Sequence, residues 1–267
     1  MICKDFGHLV FLFLRTLKGD RVLWGLALAC LLFLVAIPSL SLFSMRQIKE
    51  LAVTLALSGT SLFLLVCAVF LGATSIWRDL EKRFAVPVLA LPLSRKTFVF
   101  SKFAALGIFL VSSVVFLCVF CSVGVLLAGF QQAGSRPVVW VNFVVSFGML
   151  GLKYLLLLAL TLVLSALSTS FFLPVFGALA IFMAGSASYQ VMQFLLQNPE
   201  KFSPVFIKTV NFIHYIIPNF SAFDYQIYAI YGLPLRWSEV FVSFLYGTAY
   251  IIVALILASA LFERREI

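Results

Sequence analysis

Residues 154–199 read YLLLLALTLVLSALSTSFFLPVFGALAIFMAGSASYQVMQFLLQNP, with no Asp, Glu, Lys or Arg from end to end. A helix rising about 1.5 Å per residue needs roughly 20 residues to cross about 30 Å of hydrocarbon, so this stretch suffices for two crossings. The polar string Ser165-Ala166-Leu167-Ser168-Thr169-Ser170, with Pro174 just beyond it, predicts a tight reversal in the middle. Hydroxyl side chains there compete for backbone partners, and proline suits a first helical turn. Four more uncharged runs, 22–45, 51–77, 103–135 and 240–262, also reach spanning length. The expected fold is all-α and polytopic, a single transmembrane domain over 1–267. Its six spanning helices are expected at about 22–43, 51–76, 98–130, 138–165, 171–193 and 239–262.

The composition agrees. With 63% apolar residues, 11% charged residues and 30 Phe, a soluble domain of this size has too little interior to hide its apolar surface. The net charge of +9 is explained by topology. Lys4, Arg15, Lys18, Arg21, Arg78, Lys82, Arg83, Arg95, Lys96, Lys102, Arg264 and Arg265 fall on the side shared by both termini. Arg46, Lys49, Arg136, Lys201, Lys208 and Arg236 fall on the other. The twofold excess predicts that both termini are cytoplasmic. No basic stripe with interleaved aromatics lies outside these flanks, so a nucleic-acid partner is not expected.

No cleavable signal peptide is expected, because Arg15, Lys18 and Asp20 interrupt the first apolar stretch and no small-residue cleavage site follows. Within residues 1–20, Phe6, Leu9, Val10, Phe13, Leu14 and Leu17 recur at helical spacing. Lys4, His8, Arg15 and Lys18 lie near the opposite side, and Phe11 and Leu12 narrow that polar stripe. The pattern predicts an amphipathic helix lying in the headgroup layer.

Chemistry-bearing residues are scarce. The five cysteines lie in or beside apolar spans, and the CxxC of Cys118 and Cys121 has neither a second pair nor a nearby histidine, so no metal site is expected. His8 and His214 lack carboxylates at ligand spacing, and no nucleophile and base pair up at membrane depth, so the chain is not expected to be an enzyme. Lys153 is the one ionisable residue inside a span. It is read as a lysine that snorkels to an interface, with an intramembrane site as the other reading. No GxxxxGK[ST] phosphate loop is present, so any uphill work enters from another polypeptide.

The connection from Ile76 to Lys102, IWRDLEKRFAVPVLALPLSRKTFVFSK, is the natural docking place for such a partner. Trp77, Leu80 and Phe84 share a helical face, and Arg78, Asp79, Glu81, Lys82 and Arg83 take the remainder, which predicts a short amphipathic helix. Pro87 and Pro92 limit regular helix. Ser94 is then placed as the N-cap of the next helix, with Leu93 positioned to staple against Phe98. Arg95 and Lys96 enter a first helical turn, where cations oppose the helix dipole. Either lipid phosphates or a protein partner would favour them there.

At this segment the sequence resembles a known family. Glu81-Lys82-Arg83, then Leu89-Ala90-Leu91-Pro92-Leu93-Ser94-Arg95, then Ser101-Lys102-Phe103, is similar to the first cytoplasmic connection of ABC-2-type permeases, the membrane subunits of ATP-binding-cassette transporters. Ile217-Pro218-Asn219-Phe220-Ser221-Ala222-Phe223-Asp224 resembles that family's Pro-Asn element before the last span, and Leu261-Phe262-Glu263-Arg264-Arg265-Glu266 its basic ending. Phe84 stands where Thr is common and Ser101 where Gly is usual. The pattern is nearest to single-domain permeases such as those of nitrous-oxide-reductase maturation and gliding-motility systems.

The resemblance implies that residues 77–97 form a coupling segment fitting a groove on a separate cytoplasmic ABC ATPase. Trp77, Arg78, Asp79, Glu81, Lys82, Arg83, Pro92, Leu93, Ser94 and Arg95 would contact it, with Ser168 and Thr169 of the short reversal approaching the same partner. It also implies a second permease copy, identical or related. ATP and Mg would bind the partner subunit, and this chain no cofactor or metal. Localisation would be the cell membrane, the bacterial inner membrane, among membrane lipid. Residues 194–238 form an aromatic-rich outer-face loop, with Pro218, Asn219, Phe220 and Asp224 as the candidate outer-face gate. The function expected is that of the permease subunit of an exporter. The alternative is a membrane anchor or scaffold that transmits ATPase-driven work without moving a solute.

Overall fold

The computed structural model describes residues 2–18, 21–41, 47–81, 95–129, 138–168, 170–197, 203, 210 and 217–264. The described residues form helices and no strand: α1 (Ile2–Lys18), α2 (Arg21–Val35), α3 (Ile37–Ser41), α4 (Ile48–Glu81), α5 (Arg95–Gly129), α6 (Trp140–Leu167) and α7 (Phe172–Gln197). A 3-10 turn (Phe220–Phe223), α8 (Gln226–Tyr231) and α9 (Trp237–Glu263) complete them. In hydrocarbon each unpaired backbone group costs several kcal/mol, which leaves the helix as the way for an isolated segment to cross. Five helices, α4, α5, α6, α7 and α9, are long and apolar enough to do so. The protein is an all-α polytopic membrane protein.

Two departures from the sequence reading have local causes. The first apolar run, expected unbroken over 22–43, is divided at Ala36. Pro38 lacks an N–H and its ring crowds the carbonyl of Leu34, so the ladder is rebuilt around it. Ala36 N donates to both Leu32 O and Phe33 O, at 3.2 and 3.1 Å, and Leu40 N donates to Ala36 O at 2.8 Å. The second departure is at the other end of α4. Trp77 to Glu81 continue that helix without a break instead of opening a separate amphipathic one. Nothing between Ser75 and Glu81 interrupts a helix, because the first proline of the connection is Pro87.

The reversal in the long uncharged run lies where its hydroxyls predict it. Ser168 caps α6 by donating its backbone N–H to Leu164 O at 3.0 Å. Its Oγ accepts from Ser170 N at 3.0 Å and donates to Ser170 O at 2.7 Å, closing a turn with a side chain where the backbone cannot. Pro174 then sits in the first turn of α7.

The core is built around α6. In its 18-residue apolar stretch 72% of residues are buried, against 56% in that of α4, 28% in α5, 22% in α7 and 17% in α9. It is seated along α4 by small and hydroxyl residues. Tyr154 Oη and Ser61 Oγ share a hydrogen bond at 2.6 Å, Ser165 Oγ donates to Ala73 O at 3.1 Å, and Gly72 lets Thr161 approach. Where lipid tails are as apolar as leucine, close packing and such interhelical bonds hold helices together, each bond contributing about 0.6 to 1.7 kcal/mol.

Candidate functional site

The bundle has two built ends, with the buried Lys153 between them. At the first, called the elbow end, α4 finishes and α5 begins. Lys102, on the second turn of α5, donates to Ser75 O of α4, and its ammonium lies 5.2 and 5.5 Å from the Phe13 and Phe98 ring centroids. Phe98 meets Phe13 of α1 edge-on at 5.7 Å and stacks on Phe262 of α9 at 5.5 Å. Lys96 pairs with Glu263 at 3.5 Å, with both side chains about half exposed. Ser101, fully buried beside this cluster, donates to Phe98 O at 2.9 Å. One lysine and one phenylalanine thus tie together the starts and finishes of four helices. Along α1, Leu9 and Phe13 are buried and Val10, Leu14 and Leu17 are packed on the core, while Phe11 and Leu12 are exposed. The amphipathic face read from the sequence is therefore the one that docks on the bundle.

Of the coupling residues named from the sequence, Trp77, Arg78, Asp79 and Glu81 complete the last turns of α4, and Arg95 opens α5. Ser168 shapes the α6–α7 reversal at the same end, where Ser165 reaches Ala73. Lys82, Arg83, Pro92, Leu93, Ser94 and Thr169 lie outside the described residues.

At the opposite end, residues 217–236 fold into a cap over α6, α7 and α9. Asn219 caps the 3-10 turn by accepting from Ser221 N at 3.0 Å, and its own N–H donates to Tyr246 Oη at 2.8 Å. Ser221 Oγ donates to Ser186 O at 2.8 Å. Asn142 Nδ2 donates to Tyr228 O and Leu233 O, both at 2.8 Å, and Ser146 Oγ to Tyr225 O at 2.8 Å. Phe220 and Phe223 are fully buried. They fit because a glycine faces each: a Cβ on Gly185 would lie 2.6 Å from Phe220, and one on Gly247 2.8 Å from Phe223. Pro218, Asn219 and Phe220 are thus brought together against α7 and α9, whereas Asp224 stays exposed and accepts from Gln226 N at 3.4 Å.

Between the ends lies Lys153, midway along α6. It does not snorkel. At about 1.5 Å per residue it is roughly 20 Å from either end of its helix, farther than a four-carbon stem reaches. Its side chain is buried at 8% exposure, with the ammonium 5.3 Å from the Phe182 ring of α7 and 6.0 Å from that of Tyr154. Phe182 in turn packs on Phe220 of the cap at 5.3 Å. Each ring returns about 0.5 to 2 kcal/mol, against a cost of about 2.5 to 3.5 kcal/mol for a cation at the centre of a spanning helix. On the far side of α4, Cys30, Phe33, Ser58, Gly59, Leu62, Phe63 and Val66 line an apolar groove of about 410 Å³ against α2.

These features describe a helical membrane domain with a lysine-centred elbow at one end and, at the other, a cap seated by neutral hydrogen bonds and buried phenylalanines. The family model of ABC-2 family transporter proteins matches residues 9–267. The chain belongs to the ABC-2 family. No curated protein matches it. As an ABC-2 permease it is a membrane component of transport, and membership implies association with an ABC ATPase subunit. The described residues of the permease landmarks quoted from its sequence fall at both ends. Reading them one by one missed the partners that make them a structure: Phe13 and Phe262 around Lys102, and Asn142, Ser146, Tyr246 and the two glycines under the cap. Lys102 carried a signal, as the centre of the Ser101-Lys102-Phe103 string, and Asn142 another, as the lone side-chain amide in an apolar span.

Proposed function

We propose that this permease is half of an exporter, coupled through the elbow between α4 and α5 to a separate cytoplasmic ABC ATPase. In this reading α2 and α3 together make the first crossing, giving six spans with both termini in the cytoplasm of a bacterial inner membrane. One bundle cannot enclose a path, so a second permease, identical or related, completes it, and ATP and Mg act on the ATPase. Trp77, Arg78, Asp79 and Glu81 at the end of α4, Arg95 at the start of α5, Ser168 of the reversal, and Lys82, Arg83, Pro92, Leu93, Ser94 and Thr169 from the sequence are assigned to the docking surface.

The observation that carries the reading is the Lys102–Phe98 cluster. It joins the end of α4 and the start of α5 to α1 and α9. A push on the elbow is therefore delivered to four helices at once, while α6 stays as the post around which they tilt.

The test is co-purification with a co-expressed cytoplasmic ABC ATPase from the same organism, followed by reconstitution in liposomes. Reversing both Glu81→Lys and Arg83→Glu is expected to abolish co-purification while leaving the permease folded; intact association removes the docking role. ATP-dependent movement of cargo across the liposome separates an exporter from a scaffold that only transmits force.

A further inference from the structure

Lys153 is the charge that the coupling scheme does not use. Its positive charge faces ring faces, which answer a cation's field but accept none of its three N–H bonds well. Among the described residues no oxygen accepts a hydrogen bond from its ammonium and no carboxylate lies within ion-pair distance. Asp224 acts on it only through its field, from the exposed rim of the cap. Three N–H donors on a cation call for oxygen acceptors, so an oxyanion answers both the charge and the donors, while Phe182 beside it and Phe220 beyond are apolar.

We propose that Lys153 anchors the anionic head of an amphiphilic cargo, an oxyanion carried on an aliphatic body and held beneath Phe220 of the cap. This rests on the permease reading and names its substrate class. The oxyanion would take all three N–H donors while Phe182 and Tyr154 flank the charge. Asp224 would oppose it and favour its release once the cap moves. Phe182, which touches both Lys153 and Phe220, makes the state of the cap sensitive to what the lysine holds.

The test uses the purified full chain, without ATPase, in uncharged maltoside micelles. The probes are dansyl-labelled undecanoate, dansyl-labelled undecyl phosphate and dansyl-labelled undecanol. The wild type is expected to bind at least one anionic probe about tenfold or more tightly than the alcohol. The tighter of the two anions tells a carboxylate cargo from a phosphate one. Lys153→Met is expected to lose the anion preference and keep alcohol binding, Lys153→Arg to retain it within about threefold, and Asp224→Asn to strengthen it about two- to fivefold. Equal binding of acid and alcohol by the wild type, or an undiminished preference in Lys153→Met, overturns the proposal. If Lys153→Met does not fold, Lys153→Gln carries the same comparison. Because no ATPase is present, failed ATP-driven transport with a Lys153-dependent preference sinks the exporter alone, and a lost preference in a transporting complex sinks the anchor alone.

Discussion

The elbow end and the cap end of this bundle are held by different physics. At the elbow, the contacts between helices include a cation over two rings, a charge-assisted bond from Lys102 to a carbonyl, the ring contacts of Phe98 with Phe13 and Phe262, and the half-exposed Lys96–Glu263 pair. At the cap, neutral side chains donate to backbone carbonyls, and fully buried phenylalanines sit in glycine seats. Exposed ion pairs contribute about 0.2 to 1 kcal/mol and exchange partners readily, whereas a buried carbonyl stripped of its donor costs about 1 to 3 kcal/mol. The difference teaches where motion can start. At the elbow the exposed Lys96–Glu263 pair can release and re-form as a partner pushes on it, while the buried Lys102, Phe98 and Phe262 carry the push into their helices; the cap resists until Phe220 and Phe223 leave their seats together.

The contrast is broken most severely at the cap. Gly185→Leu places a branched side chain where Phe220 and the Pro218 carbonyl already sit, and is expected to cost about 3 kcal/mol or more, read as a loss of monodisperse protein and of thermal stability in detergent. Asn142→Leu removes the donor from two carbonyls at once. It should cost about 2 to 3 kcal/mol by the same thermal assay, with protease nicking advancing into residues 217–236.

At the elbow the expected losses are smaller and appear in coupling before stability. Lys102→Met keeps the packing on Phe13 and Phe98 but not the charge-assisted bond, so about 1.5 kcal/mol of stability is expected to go, together with most ATPase stimulation by the permease. Glu263→Gln should shift stability by about 0.5 kcal/mol or less and remove part of its salt dependence, measured by melting at low and high ionic strength. A Glu263→Gln loss as large as that of Asn142→Leu would erase the distinction between the two ends.

Much of the architecture was open to reading along the chain. The lengths of the uncharged runs located the spanning helices, and the hydroxyls of Ser168 and Ser170 located the reversal between α6 and α7, because a bilayer leaves an apolar segment little choice but to be helical. The amphipathic face of α1 was equally plain, since Lys4, His8, Arg15 and Lys18 lie away from Phe6, Leu9, Phe13 and Leu17. The break at Ala36 was foreshadowed only by Pro38, and the continuation of α4 through Trp77 to Glu81 only by the absence of any breaker before Pro87.

Composition and local chemistry thus specified the long apolar helices, their order and the reversal between α6 and α7. Three-dimensional packing alone decided that α6 is the post, that Lys153 points into the core toward α7, and that Lys102 joins α4 to α1. The cause is the solvent. A helix in lipid is apolar on every side, so its pattern cannot say which face meets protein; small residues and a few hydrogen bonds settle that, and their partners lie tens of residues away in the chain.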